Sequence, residues 1–194
     1  MERVVYTYYG NENYGTSGDL KTAKREIKVG STWVDQGTHY YRYYKQGEAN
    51  GFVSGLKYEL SPDDYANLVA AYPSSSSCND TVVAGFASKY FEYDSGRRVV
   101  LERVRGGQET YLLSYTDYAN ANRNDANAVH HKTIETRPNG SQRKVYTNYT
   151  GSIILSEDFT PIGSGDQSII HYPVRRTFWY AFWLTFCGGR WAAW

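Results

Sequence analysis

Short runs in which apolar and polar residues alternate cover most of this chain, and loops rich in glycine, asparagine and serine separate them. A period of two is typical of β-strands with one face in water. The runs form five strand–loop–strand units: residues 4–9 with 20–29, 38–44 with 56–60, the two halves of 89–100, 109–115 with 132–137, and the two halves of 143–155. Because one strand pair cannot bury its own apolar face, we expect the units to stack. The pattern predicts an all-β fold, a twisted and meandering antiparallel sheet.

Residues 61–73 break the alternation and indicate one short helix near residues 62–72. Ser61 is suited to cap the N-terminus, Pro62 to occupy the first helical position, and Asp63 to lie beside the positive end of the helix dipole. Pro73 ends the segment. The polar stretch 74–81 predicts an exposed loop, so the sequence indicates a single helical insertion between two β units.

The composition indicates an aromatic core, with 20 tyrosines, 7 phenylalanines and 5 tryptophans against 1 methionine. Tyrosine suits half-buried strands, where the ring packs and the hydroxyl reaches water. A net charge of +1 lacks the clustered basic excess of nucleic-acid-binding proteins, so no nucleic-acid partner is expected. The longest apolar run, residues 178–184, is far shorter than the ~20 residues of a membrane-spanning helix, and Met1 leads into a strand-like run rather than a secretory signal.

Patterns that would indicate metal binding or catalysis are weak. Asn120, Asn122 and Asn124 have the spacing of calcium-loop ligands, but the loop lacks the required glycine and glutamate. His130 and His131 are adjacent, and adjacent strand residues point to opposite faces, so we do not expect them to chelate one ion. Two cysteines are too few for a disulfide framework or a four-cysteine zinc site, and no nucleophile elbow or phosphate loop occurs. We expect no metal, no cofactor and no enzymatic activity.

The turn Tyr93-Asp94-Ser95-Gly96-Arg97 resembles the core of the tyrosine-aspartate (YD) repeats, also called Rhs repeats, in which Tyr-Asp is followed by Gly-Arg and an aliphatic residue. A looser copy lies in the fifth unit, and the resemblance spans residues 3–160. The motif residues are Tyr93, Asp94, Gly96, Arg97, Tyr146, Asn148 and Gly151.

We expect these residues to hold turns and not a catalytic site. Asp94 can bond local backbone amides, and Gly96 is expected to adopt a positive φ between the two strands. Asn148 and Gly151 stand roughly where the third unit has Asp94 and Gly96. The motif therefore predicts structural positions.

The resemblance implies a large secreted or cell-surface protein in which strands wind into a shell around a cargo polypeptide, as in toxin-delivery scaffolds. We therefore expect a non-enzymatic structural segment whose partners are the rest of the repeat shell, other repeat units, a cargo polypeptide or glycans. This chain is too short to enclose a cargo, and no plug or toxin region is recognisable after residue 160. An alternative is a carbohydrate- or protein-binding adhesion module that uses tyrosine-rich strand faces; a hydrolase whose carboxylates meet only in space is a third reading.

The sequence divides into a YD-repeat-like β region, residues 1–160 with the helical insert 61–73 and the loop 74–81, and a linker with an aromatic tail, residues 161–194. The tail holds four of the five tryptophans and is interpreted either as a strand that awaits a partner or as a truncation or reading-frame scar. Open strand edges and this tail are expected to make the isolated chain self-associate. Deletion of residues 175–194 is expected to raise its soluble fraction.

Overall fold

The computed structural model describes residues 1–10, 12–119, 122 and 124–160, without the side chain of Ser76, and the backbone of residues 167–171. The aromatic tail and most of its linker therefore lie outside the described residues. The strands are β1 Glu2–Tyr8, β2 Leu20–Val29, β3 Thr32–Tyr43, β4 Leu56–Leu60, β5 Lys89–Tyr93, β6 Val99–Val104, β7 Glu109–Asp117, β8 His131–Thr136, β9 Gln142–Thr147, β10 Ile153–Thr160 and β11 Gln167–His171. The helices are α1 Pro62–Ala71 and α2 Asp80–Ala84, with a 3-10 turn at Ser75–Ser77.

The fold is all-β, as the alternation predicts, and within a compact unit strands that are neighbours in the sequence are neighbours in the sheet. The chain divides into two compact units, one that ends at Leu113 and one that begins at Ser114, within β7. In the first unit β1 to β6 pair antiparallel in chain order and β7 follows β6. In the second unit β8 to β11 pair antiparallel in chain order. The predicted pairing of β1 with β2, of β3 with β4, of β5 with β6 and of β9 with β10 is confirmed.

The core of the first unit lies between the helical insertion and the sheet. Leu68 of α1 and Val83 of α2 are fully buried and pack with Leu60 of β4. The rest of this core is largely aromatic, with Tyr40 and Tyr58 buried on β3 and β4. Among the described residues, no helix has the length and apolar character that crossing a membrane requires.

The predicted helix is present as α1, but residues 74–81 are more ordered than an exposed loop. Ser61 caps α1, since its Oγ accepts the N–H of Asp64 at 3.3 Å. The 3-10 turn follows, Ser75 is buried, and a second helix begins at Asp80 after Asn79, whose side chain accepts the N–H of Val82 at 3.0 Å. An asparagine caps a helix as well as serine does. The polar composition of this stretch therefore concealed a helix start.

Candidate functional site

Two long hairpin loops in the first unit have the same geometry. The first tyrosine loop, residues 9–19, joins β1 to β2, and the second tyrosine loop, residues 44–55, joins β3 to β4. In each, the tyrosine that opens the loop exchanges two backbone hydrogen bonds with the two residues that close it. These bonds run from Tyr9 N to Asp19 O (2.8 Å), Gly18 N to Tyr9 O (3.0 Å), Tyr44 N to Gly55 O (2.8 Å) and Ser54 N to Tyr44 O (3.0 Å).

The opening tyrosine of each loop is buried beneath a glycine of the same loop. Tyr9 is 3% exposed and Tyr44 is 1% exposed. A Cβ on Gly15 would lie 2.3 Å from the Tyr9 ring, and a Cβ on Gly51 would lie 2.2 Å from the Tyr44 ring. Such distances are impossible for real atoms, so only glycine fits over either ring.

The hydroxyl of each buried tyrosine binds the first strand of the next hairpin. Tyr9 Oη donates to the carbonyl of Tyr41 on β3 at 2.8 Å. Tyr44 Oη donates to the carbonyl of Phe91 on β5 at 2.7 Å. Each loop thereby contacts the following hairpin through a partly buried hydrogen bond between uncharged groups.

The loop backbone binds the same strand two residues further on. The carbonyl of Tyr14 accepts the N–H of Tyr43 at 2.8 Å, and the carbonyl of Asn50 accepts the N–H of Tyr93 at 2.8 Å. Tyr14 and Asn50 have φ of 74° and 64°, the left-handed conformation that turns these carbonyls toward the strand. The rings of the bonded tyrosines pack edge-on against the buried ones, Tyr43 on Tyr9 at 6.2 Å and Tyr93 on Tyr44 at 6.1 Å.

A lysine and a glutamate complete each loop. Lys21 Nζ lies 5.3 Å from the Tyr9 ring centroid and 3.0 Å from Glu12 Oε1. Lys57 Nζ lies 5.1 Å from the Tyr44 ring centroid and 2.5 Å from Glu48 Oε1. The hydrogen bond from Lys21 lowers the pKa of Glu12. In each loop the lysine ammonium lies over the tyrosine ring and the glutamate carboxylate binds that ammonium.

The same backbone closure recurs at three tight turns. In each, the first residue's N–H donates to the carbonyl four residues on, and its own carbonyl accepts the N–H three residues on. These turns are Asp94–Arg98, 137–141 and 148–152. The residue before the closing one has a positive φ in all five loops: Gly18 93°, Ser54 64°, Arg97 63°, Gly140 80° and Gly151 80°.

This geometry corrects the expectation for Gly96. The left-handed residue of the YD-like turn is Arg97, and Gly151 therefore matches Arg97 and not Gly96. The error arose because glycine is the usual residue at positive φ. The guanidinium of Arg97 lies 5.0 Å from the Phe52 ring centroid, a contact that favours arginine at this position.

The other motif residues hold turns or strand contacts. Asp94 accepts the backbone N–H of Arg98 at 2.9 Å, and this bond lowers the pKa of the carboxyl. Asn148 is buried and accepts the N–H of Ser152 at 2.9 Å, while its amide donates to the Ala126 carbonyl at 2.9 Å. Of the two motif tyrosines, Tyr93 Oη donates to Leu56 O at 2.9 Å and Tyr146 Oη to Glu157 Oε2 at 3.4 Å.

Replacement of Gly151 by alanine is expected to lower the free energy of unfolding by about 1 kcal/mol, because an L-residue is strained at its φ. The matched control is Gly96→Ala. Gly96 lies outside the left-handed region, and an added Cβ meets only side-chain atoms, Asp94 Oδ1 at 3.2 Å and Arg98 Nε at 3.5 Å being the nearest. We expect Gly96→Ala to cost about 0.5 kcal/mol or less. Denaturant unfolding of both variants measures the difference, and equal losses would contradict the assignment of the turn.

Arg42 is a structurally important residue that the sequence analysis missed. Its guanidinium is fully buried, lies 3.6 Å from the Tyr14 ring centroid, and bonds Asp80 Oδ1 at 2.9 Å. It also donates to Tyr40 Oη at 3.0 Å and to the Cys78 carbonyl at 2.8 Å. Arg42 thus joins the first tyrosine loop, β3 and the helical insertion. The sequence pattern that could have indicated its burial is the alternation of Tyr40, Arg42 and Tyr44, which places all three on one buried face.

The side chains of His130 and His131 contact each other, whereas the sequence predicts that they point to opposite faces of a strand. His130 Nδ1 and His131 Nε2 are 3.0 Å apart, and His131 Nδ1 lies 2.6 Å from Asp117 Oδ1. The two rings meet because His130 precedes β8, so the alternation of an extended strand does not apply to it. Within the described residues, no group of three or more His, Cys, Asp or Glu side chains is placed to hold a metal ion. Part of the asparagine run at 120–124 lies outside them.

Titration of the buried tyrosines is expected to destabilise the chain at alkaline pH. Burial raises the pKa of Tyr9 and Tyr44 well above the ordinary value of 10.0, and raises the pKa of Tyr58 to about 12. The folded chain keeps these protons where the unfolded chain releases them. The stabilisation is therefore complete below pH 10.0 and is lost as the pH rises toward the folded pKa values.

Above that pH, each such tyrosine is expected to lower the free energy of unfolding by up to about 1.4 kcal/mol per pH unit. Urea denaturation between pH of about 9 and 11 measures the slope. Tyr44→Phe should reduce the slope by the share of one tyrosine, and Tyr149→Phe, at an exposed position, is the control. A slope that is the same in both variants would contradict the role assigned to burial.

Comparison of the chain with protein-family models, with curated proteins and with solved structures finds no match. The class that the fold and the two tyrosine loops define is an antiparallel β-meander in which two buried tyrosines join the first three hairpins.

Proposed function

We propose that this chain is a non-enzymatic structural segment of a secreted or cell-surface protein of the YD-repeat type, in which tyrosine loops fix each hairpin to the next. The observation that carries the proposal is the repetition of the complete tyrosine loop. The same ring burial, hydroxyl bond, backbone bond and lysine–glutamate pair occur twice.

The hydrogen bonds of the buried polar side chains support a structural role, because their partners belong to the chain itself. The hydroxyls of the buried Tyr9 and Tyr44 both donate to strand carbonyls of the following hairpin. Arg42, the fully buried cation, is bonded to Asp80 and to backbone carbonyls. An active site needs polar groups that remain available to a substrate, whereas these groups bind the chain itself. Repeats that contact only their neighbours build elongated scaffolds.

The test is the DNA that flanks the coding sequence. We expect an open reading frame that continues and encodes further loops with the spacing shared by the two tyrosine loops. That spacing is tyrosine, then glutamate three or four residues on, glycine six or seven residues on, and Leu-Lys as the first two residues of the next strand. Flanking sequence in frame that lacks such loops would contradict the scaffold proposal.

The alternative, a carbohydrate- or protein-binding adhesion module, is favoured by one surface. Tyr6 and Tyr8 lie on one face of β1 and are 54% and 58% exposed, so their rings are available for stacking on a sugar. A glycan array of the chain tests this function. Binding that is lost in the Tyr6→Ala, Tyr8→Ala double variant, and kept in Tyr149→Ala, would support it; an array without binding would reject glycans as ligands.

A further inference from the structure

The strand β1 has the same residue pattern as β3 and β5, the two strands to which the tyrosine loops bind. The three strands are aligned by the residue that opens the following loop or turn: Tyr9, Tyr44 and Asp94. One residue earlier stand Tyr8, Tyr43 and Tyr93, and three residues earlier stand Tyr6, Tyr41 and Phe91. On β3 and β5 the first of these positions donates its N–H to a loop carbonyl, and the second accepts the hydroxyl of the buried tyrosine.

The backbone of β1 offers the same two groups on its open side. Alternate residues of a strand direct their N–H and C=O groups to opposite sides. Tyr9 bonds Asp19 within its own hairpin, so Tyr8 and Tyr6 direct theirs away from β2. Among the described residues β1 pairs with β2 alone, which leaves these groups at the edge of the sheet.

The exposure of the side chains on β1 also indicates an uncovered edge. On β3, Tyr41 and Tyr43 are partly covered, and the Tyr43 ring packs edge-on against Tyr9. On β1, the corresponding Tyr6 and Tyr8 are more than half exposed, and Val4 beside them is 46% exposed. The aromatic residues that a tyrosine loop covers on β3 are thus uncovered on β1.

We propose that the open edge of β1 binds a further β-hairpin whose loop carries a buried tyrosine followed by glycine, the design of the first and second tyrosine loops. The incoming tyrosine donates to the Tyr6 carbonyl and packs against the Tyr8 ring, and a loop carbonyl accepts the Tyr8 N–H. This inference rests on the proposed function, because it names the partner that a repeat scaffold places at this edge.

A second copy of this chain is a poorer occupant. Its two tyrosine loops already hold β3 and β5 of their own chain through Tyr9 and Tyr44. The third hairpin has Asp94 in the place of the tyrosine and a turn of only five residues, so it offers no such loop. A partner with an unoccupied tyrosine loop meets the requirement without breaking a contact.

The experiment supplies such a loop to the full chain. A copy of residues 1–37 is placed directly before Arg3, which repeats the spacing of 35 residues by which Tyr44 follows Tyr9. Hydrogen exchange of the original Tyr8 amide is then compared between this fusion, the same fusion with Tyr9→Phe in the copy alone, and the unfused chain. We expect protection of the Tyr8 amide to rise about tenfold or more in the fusion, and to fall markedly in the phenylalanine variant.

The unfused chain provides a measurement that does not depend on how the fusion folds. Its Tyr8 amide is expected to exchange much faster than its Tyr43 amide, which the first tyrosine loop protects. Equal protection of the two amides in dilute solution, or an unchanged Tyr8 amide in a folded fusion, would overturn the inference. Protection of Tyr8 that rises with chain concentration would assign the edge to a second copy and would also overturn it. Protection in the fusion together with flanking DNA that lacks further loops would retain this edge and reject the scaffold proposal.

Discussion

Replacing Arg42 with alanine is expected to lower the free energy of unfolding by about 3–5 kcal/mol, the usual cost of removing one partner of a buried ion pair. The guanidinium is fully buried and its partners are Asp80, the Tyr40 hydroxyl and the Cys78 carbonyl. The substitution removes the donor to the Cys78 carbonyl, leaves Asp80 with Lys57 as its ion-pair partner, and opens a cavity over the Tyr14 ring. Denaturant unfolding followed by circular dichroism measures the loss.

Arg25→Ala is the matched control. Arg25 also pairs with a carboxylate, Glu2 at 2.7 Å, but its side chain is 61% exposed. Exposed ion pairs contribute about 0–1 kcal/mol, so this variant should remain close to the parent chain. Asp80→Asn removes the carboxylate that both Arg42 and Lys57 bind, so this variant is also expected to be destabilising. A loss below about 1 kcal/mol for Arg42→Ala would mean that the insertion is held by its apolar core alone.

Replacing Tyr44 with alanine is expected to lower the free energy of unfolding by about 3–5 kcal/mol, as for other large buried aromatic residues. The ring is 1% exposed, lies under Gly51, packs against Tyr93 and bonds the Phe91 carbonyl. Its removal empties the second tyrosine loop and releases β5. The same denaturant measurement applies, with hydrogen exchange of the Tyr93 amide as a local readout.

Two further variants separate the parts of this contact. Tyr44→Phe keeps the ring and removes the hydroxyl, so we expect a loss of about 1–2 kcal/mol. Gly51→Ala places a Cβ where the ring lies, whereas the control Gly85→Ala has its nearest neighbour at an ordinary 3.6 Å. We expect Gly51→Ala to be destabilising by about 1–3 kcal/mol or more and Gly85→Ala to be tolerated. Equal stability of the parent chain and Tyr44→Ala would contradict the proposal that tyrosine loops join the hairpins.

Strand pairs were predictable because the information that defines them is local. The alternation over residues 4–9 and 20–29 is interrupted by a loop dense in turn residues, and these two runs became β1 and β2. The helix α1 was predictable for the same reason, since Ser61 and Pro73 bound it within a few residues. By contrast, the start of α2 at Asp80 was obscured by the serine-rich stretch before it.

The tyrosine loops were not predictable because their two halves are far apart in the sequence. Tyr44 and Phe91 become hydrogen-bond partners only when β5 lies beside β4, with the helical insertion between them in the chain. The sequence shows a tyrosine before each loop and a glycine within it, but many tyrosines here stand near glycines. The resemblance of the third unit to YD repeats directed attention to Asp94, the one loop-opening position among these three that lacks the buried tyrosine.

By itself, the sequence determined the class of the fold, four of its hairpin strand pairs and the position of α1, because alternation and capping act between residues close in the chain. Only the tertiary structure decided which residues are buried and bonded. Arg97, and not Gly96, has the left-handed φ because the length of the hairpin turn sets that position. Arg42 is buried because Asp80 and the carbonyls of the insertion surround it. The function of Tyr9 and Tyr44 depends on hairpins that meet in space, which the order of residues alone does not specify.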